Sequence, residues 1–391
     1  MVAIIIFILI LSVLVIAHEF GHFITARKSG MRVYEFGLGF PPRAFGFYKD
    51  PNTGKWKFVR GKGKSSLKET VGGDGTQEEF PDTLYSVNWL PLGGFVKIKG
   101  ENGDAPNDPD SFGSHKAWKR FIVIIAGVTM NVLLAGVLLG IGYTIGIPTD
   151  VSGGIDDRAI LKNEMVLVQQ VSEDSPAGLA GVMFGDQILS VNEESILSSD
   201  QFLNYVRTNP ELEMKLKIKR EQAIMEFVIT PALLDHQDDD IPRVGLMMSD
   251  AAIVSYPWYI AIYKGFASAF YGFVAIFSVF ILVIKNLIMG QGLAYEVSGP
   301  VGIASIIGAS ARMGINYLIS TAAMLSITLA VINILPFPAL DGGRAVFIII
   351  EKVIHRPVPI KYEQLAHTIG FVLLMILVVV VTVKDVFKLF S

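Results

Sequence analysis

MVAIIIFILILSVLVIAHEFGH, residues 1–22, is an apolar run that closes on His18-Glu19-Phe20-Gly21-His22. Ahead of His18 the only polar side chain is Ser12, and the apolar character resumes as far as Ala26. A helix over residues 1–26 is long enough to cross a hydrocarbon core of about 30 Å. No basic residue precedes the run and no small-residue cleavage site follows it, so it reads as a permanent span rather than a removable signal. Arg27, Lys28 and Arg32 come after it, which places residue 1 outside and residue 27 in the cytoplasm. Residues four apart lie on one helix face, so the two imidazoles can point at a single metal ion. Glu19 is turned from His18 by about 100° and would address a water beside the metal rather than the metal itself. An unpaired carboxylate at the centre of a span costs at least about 2.5 kcal/mol, so three ionisable residues here require partners.

The rest of the chain is of the same kind. Of 391 residues, 51% are apolar and 18% charged. Further spans are expected at 120–148, 315–341 and 366–384. Lys116, Lys119 and Arg120 precede the first of these, and Arg344, Lys352, Arg356 and Lys361 follow the second; both flanks read as cytoplasmic. The stretch 150–250 carries 19 acidic and 8 basic residues, a net of −11, as expected outside. A net charge of −3 with scattered basic residues gives no nucleic-acid partner. Cysteine is absent, which excludes disulfides and thiolate metal sites and leaves six histidines and the carboxylates as ligands.

A fifth apolar stretch, Gly265 to Ile284 within 253–290, disturbs the alternation. A single crossing there would put Asp341 on the opposite side of the bilayer from His18 and His22. The segment is therefore expected to lie along the outer interface or to re-enter without crossing.

Residues 164–232 read as a soluble α/β unit. A strand at 165–171 leads to SPAGLAG (175–181), a Gly185-Asp186 turn and the strand QILSVN (187–192). A capped helix at 199–207 follows, and then a hairpin in which Met214, Leu216 and Ile218 alternate with lysines. The run resembles PDZ domains of the bacterial protease type, which bind chain ends or extended peptides at a strand edge.

A catalytic zinc takes three protein ligands and an open position. His115, His355 and His367 each stand isolated in a polar context, and His236 sits among Asp238, Asp239 and Asp240 in an outside linker. Asp341 is the better third ligand. It follows Asn333-Ile-Leu-Pro-Phe-Pro-Ala-Leu340, where Pro336 and Pro338 break the helix at the inner membrane edge. Taken without the histidines, Asp341-Gly342-Gly343 reads as an ordinary turn.

H-E-x-x-H on the first span with N-x-x-P-x-P-x-L-D-G on the third resembles the site-2 protease family of intramembrane metalloproteases, across most of the chain. The resemblance implies Zn2+ held by His18, His22 and Asp341, with Glu19 as general base. It also implies substrate contacts from Asn333, Pro338 and Gly93, Gly94, Phe95 and Val96. Gly37 to Phe40 and Leu90 to Lys97 resemble a membrane-dipping β-hairpin of the RseP-like bacterial branch, and Ser298 to Gly302 resembles the run before its third span.

The expected fold is an α-helical polytopic membrane protein of four spans. It carries a membrane-associated β region (27–119, with a polar insertion at 50–81), an inserted PDZ domain and a cytoplasmic loop at 342–365. The expected place is a bacterial inner membrane, with the N-terminus and PDZ domain outside and the active site near the cytoplasmic face. The expected partners are the bilayer, single-span membrane proteins already cleaved outside, such as anti-sigma factors or signal-peptide remnants, and a peptide or chain end at the PDZ domain. RseP-like proteins often carry two PDZ domains, whereas this chain has room for one. A non-catalytic PDZ scaffold or chaperone is the alternative, and retention of Glu19 counts against it. An ion transporter is a third reading, opposed by the lack of an internal repeat.

Overall fold

The computed structural model describes residues 2–61, 80–103, 105, 107–172, 174–210, 212–220, 223–233, 242–290, 299–356 and 358–390. Helices α1 (Val2–Lys28) and α2 (Ala117–Ile145) bracket a sheet of β1 (Val33–Lys49), β2 (Trp56–Arg60) and β3 (Leu84–Ile98). There follow β4 (Ile147–Asp150), β5 (Ile160–Val171), α3 (Pro176–Ala180), β6 (Gln187–Val191) and β7 (Glu194–Ser195). Next come α4 (Ser199–Thr208), β8 (Met214–Arg220), β9 (Ala223–Ile229) and β10 (Leu246–Ser255). The remainder is helical: α5 (Trp258–Ile288), α6 (Pro300–Met313), α7 (Ile315–Ile334), α8 (Asp341–Ile354) and α9 (Ile360–Phe390). Among the described residues, α1, α2, α5, α7 and α9 are long and apolar enough to cross a membrane. The chain divides into two compact units, 1–138 with 266–308 and 321–391, and 139–265 with 309–320.

In the first unit α1 and α2 touch backbone to backbone. A Cβ on Gly21 would stand 2.3 Å from the Ala126 carbonyl oxygen, so only glycine admits this crossing. The sheet packs on the C-terminal half of α1, where Phe23, Ala26, Val33 and Ile98 share a core with Phe112, Val123, Ile124 and Ile348. Both β1 and β3 bend into two arms. Leu84–Asn88 pairs with each arm of β1, whereas Gly94–Ile98 pairs only with Val33–Leu38 and so forms an edge. The turn between the arms of β3 reaches the middle of α1: Ser12 Oγ donates to the Pro91 carbonyl at 2.9 Å, and Gly93 (φ +88°) faces Val15. Trp89 and Leu90 project from this turn, exposed.

In the second unit the strands run β4-β10-β5-β6-β8-β9, with β7 on β6. Phe202 and Val206 of α4 bury against Val166, Ile188, Leu216 and Ile218, as the alternation of β8 requires. Ser198 caps α4 by accepting from Gln201 N–H, and Gly181 closes α3 at φ +91°. Asp186, 1% exposed at its side chain, accepts from Arg220 Nη2 at 2.7 Å and raises the pKa of that guanidinium.

Several boundaries differ from the sequence reading. The second apolar helix stops at Ile145, because Gly146 turns to φ +98° and 147–150 joins the sheet beside β10. The sheet therefore extends beyond 164–232 at both ends, through β4, the start of β5, and β10. Part of the polar insertion is a strand: Trp56–Arg60 pairs with Phe45–Lys49, the Phe47 and Phe58 rings lying 5.2 Å apart. Residues 62–79 of that insertion, His236 and Ser298 lie outside the described residues.

The apolar segment expected to be interfacial or re-entrant begins at Trp258, since 253–255 belongs to β10. From there it is one unbroken helix of 31 residues, about 46 Å long. α5 contains no reversal, so a re-entrant path would have to turn back after Ile288. Phe266 fills the notch at Gly136 of α2, and Gly272 lies beside Ile327 of α7. The expected cytoplasmic loop 342–365 is mostly helix α8, and the last apolar helix starts earlier and ends later than 366–384.

Candidate metal centre

His18 and His22 lie one turn apart on α1 where Gly21 lets α2 approach, and the approach fixes both rings. A Cβ on Gly127 of α2 would stand 2.4 Å from His22 Nε2 and 2.7 Å from His18 Nε2, so the imidazoles occupy the space that a side chain would take. His22 Nδ1–H donates to the Val123 carbonyl at 2.8 Å, which leaves Nε2 as the lone-pair nitrogen.

Asp341 reaches the same point through a different device. Pro336 and Pro338 end α7 and lead into a turn in which Ala339 adopts φ +82°. Asp341 is then the first residue of α8, where the helix dipole favours its negative charge. Gly342 and Gly343 let α8 nest in this turn: added Cβ atoms would stand 2.2 Å from the Leu335 and 2.4 Å from the Phe337 carbonyl oxygen. The Asp-Gly-Gly run is therefore a helix start and not the simple turn of the bland reading.

His18 Nε2 lies 2.9 Å and His22 Nε2 3.2 Å from Asp341 Oδ2, and the two Nε2 atoms are 3.1 Å apart. Three atoms that are each acceptors when unprotonated thus converge at hydrogen-bonding distance. A tetrahedral ion with bonds of about 2.0–2.1 Å sets its donors about 3.3 Å apart, close to this triangle. The donor set, two imidazoles and one carboxylate without thiolate, fits zinc. Among the described residues this is the one group of three or more His, Cys, Asp or Glu side chains placed to hold a metal.

Glu19 is half-buried, and its Cγ is 3.8 Å from the Cβ position of Gly94, so the carboxylate stem sits beside the edge arm of β3. Gly93 and Gly94 face Val15 and Ile16, the Phe95 ring covers Gly37, and Val96 packs on the core around Phe23. Asn333 is half-buried in the last turn of α7, eight residues before Asp341. The Pro338 carbonyl is closely approached by α9, where a Cβ on Gly370 would stand 2.3 Å from its oxygen.

The remaining histidines do not enter the centre. His115 Nδ1 lies 2.8 Å from the Ser111 carbonyl, and His355 ends α8 at φ +58°. His367, read as simply solvated, is half-buried on α9 and accepts from the Ala339 N–H at 2.7 Å, so it braces the turn ahead of Asp341. A second brace is the ion pair of Arg344 with Glu101, which raises the pKa of the guanidinium. Sequence reading passed over Gly127, Asn131, His367 and this pair. The signal for the first two was a small residue and an amide four apart inside an apolar span.

The chain is 31% identical to the regulator of sigma-W protease RasP of Bacillus subtilis, over 98% of each chain. It is 30% identical to the zinc metalloprotease RasP of Bacillus licheniformis, again over 98% of each. The RasP of Oceanobacillus iheyensis is 28% identical over the whole of both chains. Two solved structures are similar over part of the chain, the PDZ domains of SdrC-like proteins from Listeria monocytogenes and Listeria innocua. They share 21% and 27% identity, cover 23% and 22% of this chain and 92% of each of theirs, and have TM-scores of 0.21 and 0.20. The family model of peptidase family M50 matches residues 6–59 and 76–377, and the chain belongs to that family.

Proposed function

We propose that this chain is an intramembrane zinc endopeptidase that cleaves the spanning segments of single-span membrane proteins. The observation that carries the reading is the convergence of His18, His22 and Asp341 on one point, beside Glu19 and an open strand edge. Zinc held by those three residues supplies Lewis acidity toward a water and a substrate carbonyl oxygen. Glu19 takes the proton of the attacking water and passes it to the leaving nitrogen. A spanning helix hides its peptide bonds in i to i−4 hydrogen bonds and must unwind first. Gly94–Val96 lies at the edge of the sheet among the described residues, where the unwound segment can add as a strand, directly over the Glu19 stem. Asn333 holds a substrate peptide group, and Pro338 keeps α7 ended where that group must enter.

The topology follows from the site. With residue 27 in the cytoplasm and α2 crossing outward, α7 ends at the cytoplasmic face only if 258–314 makes no net crossing. Four spans satisfy this, with the N-terminus and the second unit outside a bacterial inner membrane. Residues 164–232 of that unit are read as a PDZ domain. Among the described residues, the neighbouring β10 is paired by β4 only at Ala251–Val254, so the same edge at Leu246–Ser249 can take an extended peptide or a new chain end. A relative named regulator of sigma-W protease supports an anti-sigma factor as substrate, trimmed outside before it enters. The test is cleavage of a single-span reporter by purified protein. Glu19→Gln should keep zinc and lose about 10²–10⁴-fold in rate; unchanged cleavage would overturn the mechanism.

A further inference from the structure

Asn131 lies on α2, eight residues beyond Val123 and four beyond Gly127, so the three share one helix face. Val123 accepts from His22, and Gly127 leaves room for both rings. Asn131 is wholly buried, its amide nitrogen 3.4 Å from His18 Nδ1 and its Oδ1 enclosed without a partner among the described residues. Ser326 Oγ on α7 donates to the Asn131 carbonyl at 2.8 Å and holds this turn of α2 in place. A half-turn of the amide exchanges its two ends without moving the backbone. Oδ1 then faces His18 Nδ1 and can accept a hydrogen bond from its N–H, while Nδ2 takes the place that Oδ1 had. The two orientations are not equivalent for His18. With nitrogen inward, Nδ1 must be the lone-pair atom and Nε2 carries hydrogen toward Asp341. With oxygen inward, Nδ1 carries hydrogen and Nε2 is free to ligate, as in His22.

We infer that Asn131 is a positioning residue whose amide oxygen accepts from His18 Nδ1–H, so that α2 sets the metal-binding tautomer of both histidines. The inference rests on the zinc reading above. A hydrogen-bond acceptor behind a ligand imidazole fixes its ring and raises its basicity. Asn131 would do this for His18 with a side chain, as Val123 does for His22 with its backbone.

The test compares zinc affinity, by chelator competition on the purified full chain in detergent, for wild type, Asn131→Leu and Asn131→Asp. Asn131→Leu removes the acceptor while keeping the branched shape and should weaken zinc binding by about 10- to 100-fold. The melting temperature of its metal-free form should stay equal or rise, because a buried polar group is gone, whereas a merely structural asparagine would lower it. Asn131→Asp keeps an oxygen at Nδ1 and should bind zinc at least as tightly as wild type. Wild-type affinity in Asn131→Leu, or a tenfold loss in Asn131→Asp, would overturn the inference while leaving the zinc site standing. A wild-type chain that binds no zinc would overturn both, and so tells the two failures apart.

Discussion

His18 Nε2 and Asp341 Oδ2 lie 2.9 Å apart although 323 residues separate them in the chain. Everything between has to return Asp341 to the turn of α1 that carries His18 and His22. That single contact therefore constrains the number of crossings, the place where α7 ends and the glycines around it.

Gly127→Ala is expected to be severe for so small a change. The added carbon would press on both Nε2 atoms at 2.4 and 2.7 Å, and one or both rings must move. A misplacement of about 1 Å at a reacting centre costs about 10²-fold in rate. Reporter cleavage should fall at least that far, with zinc content reduced; normal cleavage would mean that α2 does not abut the histidines.

Gly370→Ala tests the turn that carries Asp341. The new Cβ would meet the Pro338 carbonyl at 2.3 Å and displace that turn. The helix-propensity gain of about 1 kcal/mol does not offset a clash with backbone, which costs about 1–3 kcal/mol. Cleavage should fall at least about tenfold, with a somewhat lower melting temperature; full activity would contradict the close approach of α9 to the turn.

Arg220→Met should loosen the second unit. The Asp186 carboxylate accepts from Arg220 Nε at 2.8 Å, from Nη2 at 2.7 Å and from the Met183 N–H at 2.8 Å, in a nearly closed site. Breaking a fully buried pair costs about 3–5 kcal/mol. Arg220 is a quarter exposed, so solvent screening lowers the expectation to about 1–3 kcal/mol. Limited proteolysis of the full chain should show faster cutting between 160 and 255, partly reversed by adding Asp186→Asn.

Met313→Cys tests topology in a chain free of native cysteine. Met313 is exposed at the end of α6 and precedes α7, which the proposed four-span arrangement starts outside. An impermeant thiol reagent added to intact cells should label it. Labelling only after the cytoplasmic face is opened would break the four-span arrangement.

The sequence points to His18, His22 and Asp341 as candidate ligands because their chemistry is conspicuous: ionisable residues within or beside apolar helices need a reason to be there. Much of the second unit was legible for a similar reason, since Met214, Leu216 and Ile218 alternate with lysines and the Ser198 and Gly181 caps are local signals. What supports the ligands was less so. Gly127 and Asn131 matter because α2 crosses α1 at Gly21, a contact set by packing over a hundred residues of separation. Asp341-Gly342-Gly343 has the composition of a turn, and only the carbonyls of Leu335 and Phe337 reveal why both glycines start a helix. Trp56–Arg60 lies in a run rich in lysine and glycine, and its pairing to Phe45–Lys49 becomes evident only when the partner strand is seen.

The most direct test of the account is the metal content of the purified chain, by elemental analysis, for wild type, His22→Ala and Asp341→Ala. One zinc per wild-type chain and a clear loss in both variants is the predicted result. A wild-type chain without zinc, or an Asp341→Ala chain that binds it as tightly as wild type, would contradict the joining of α1 to the start of α8 through a metal.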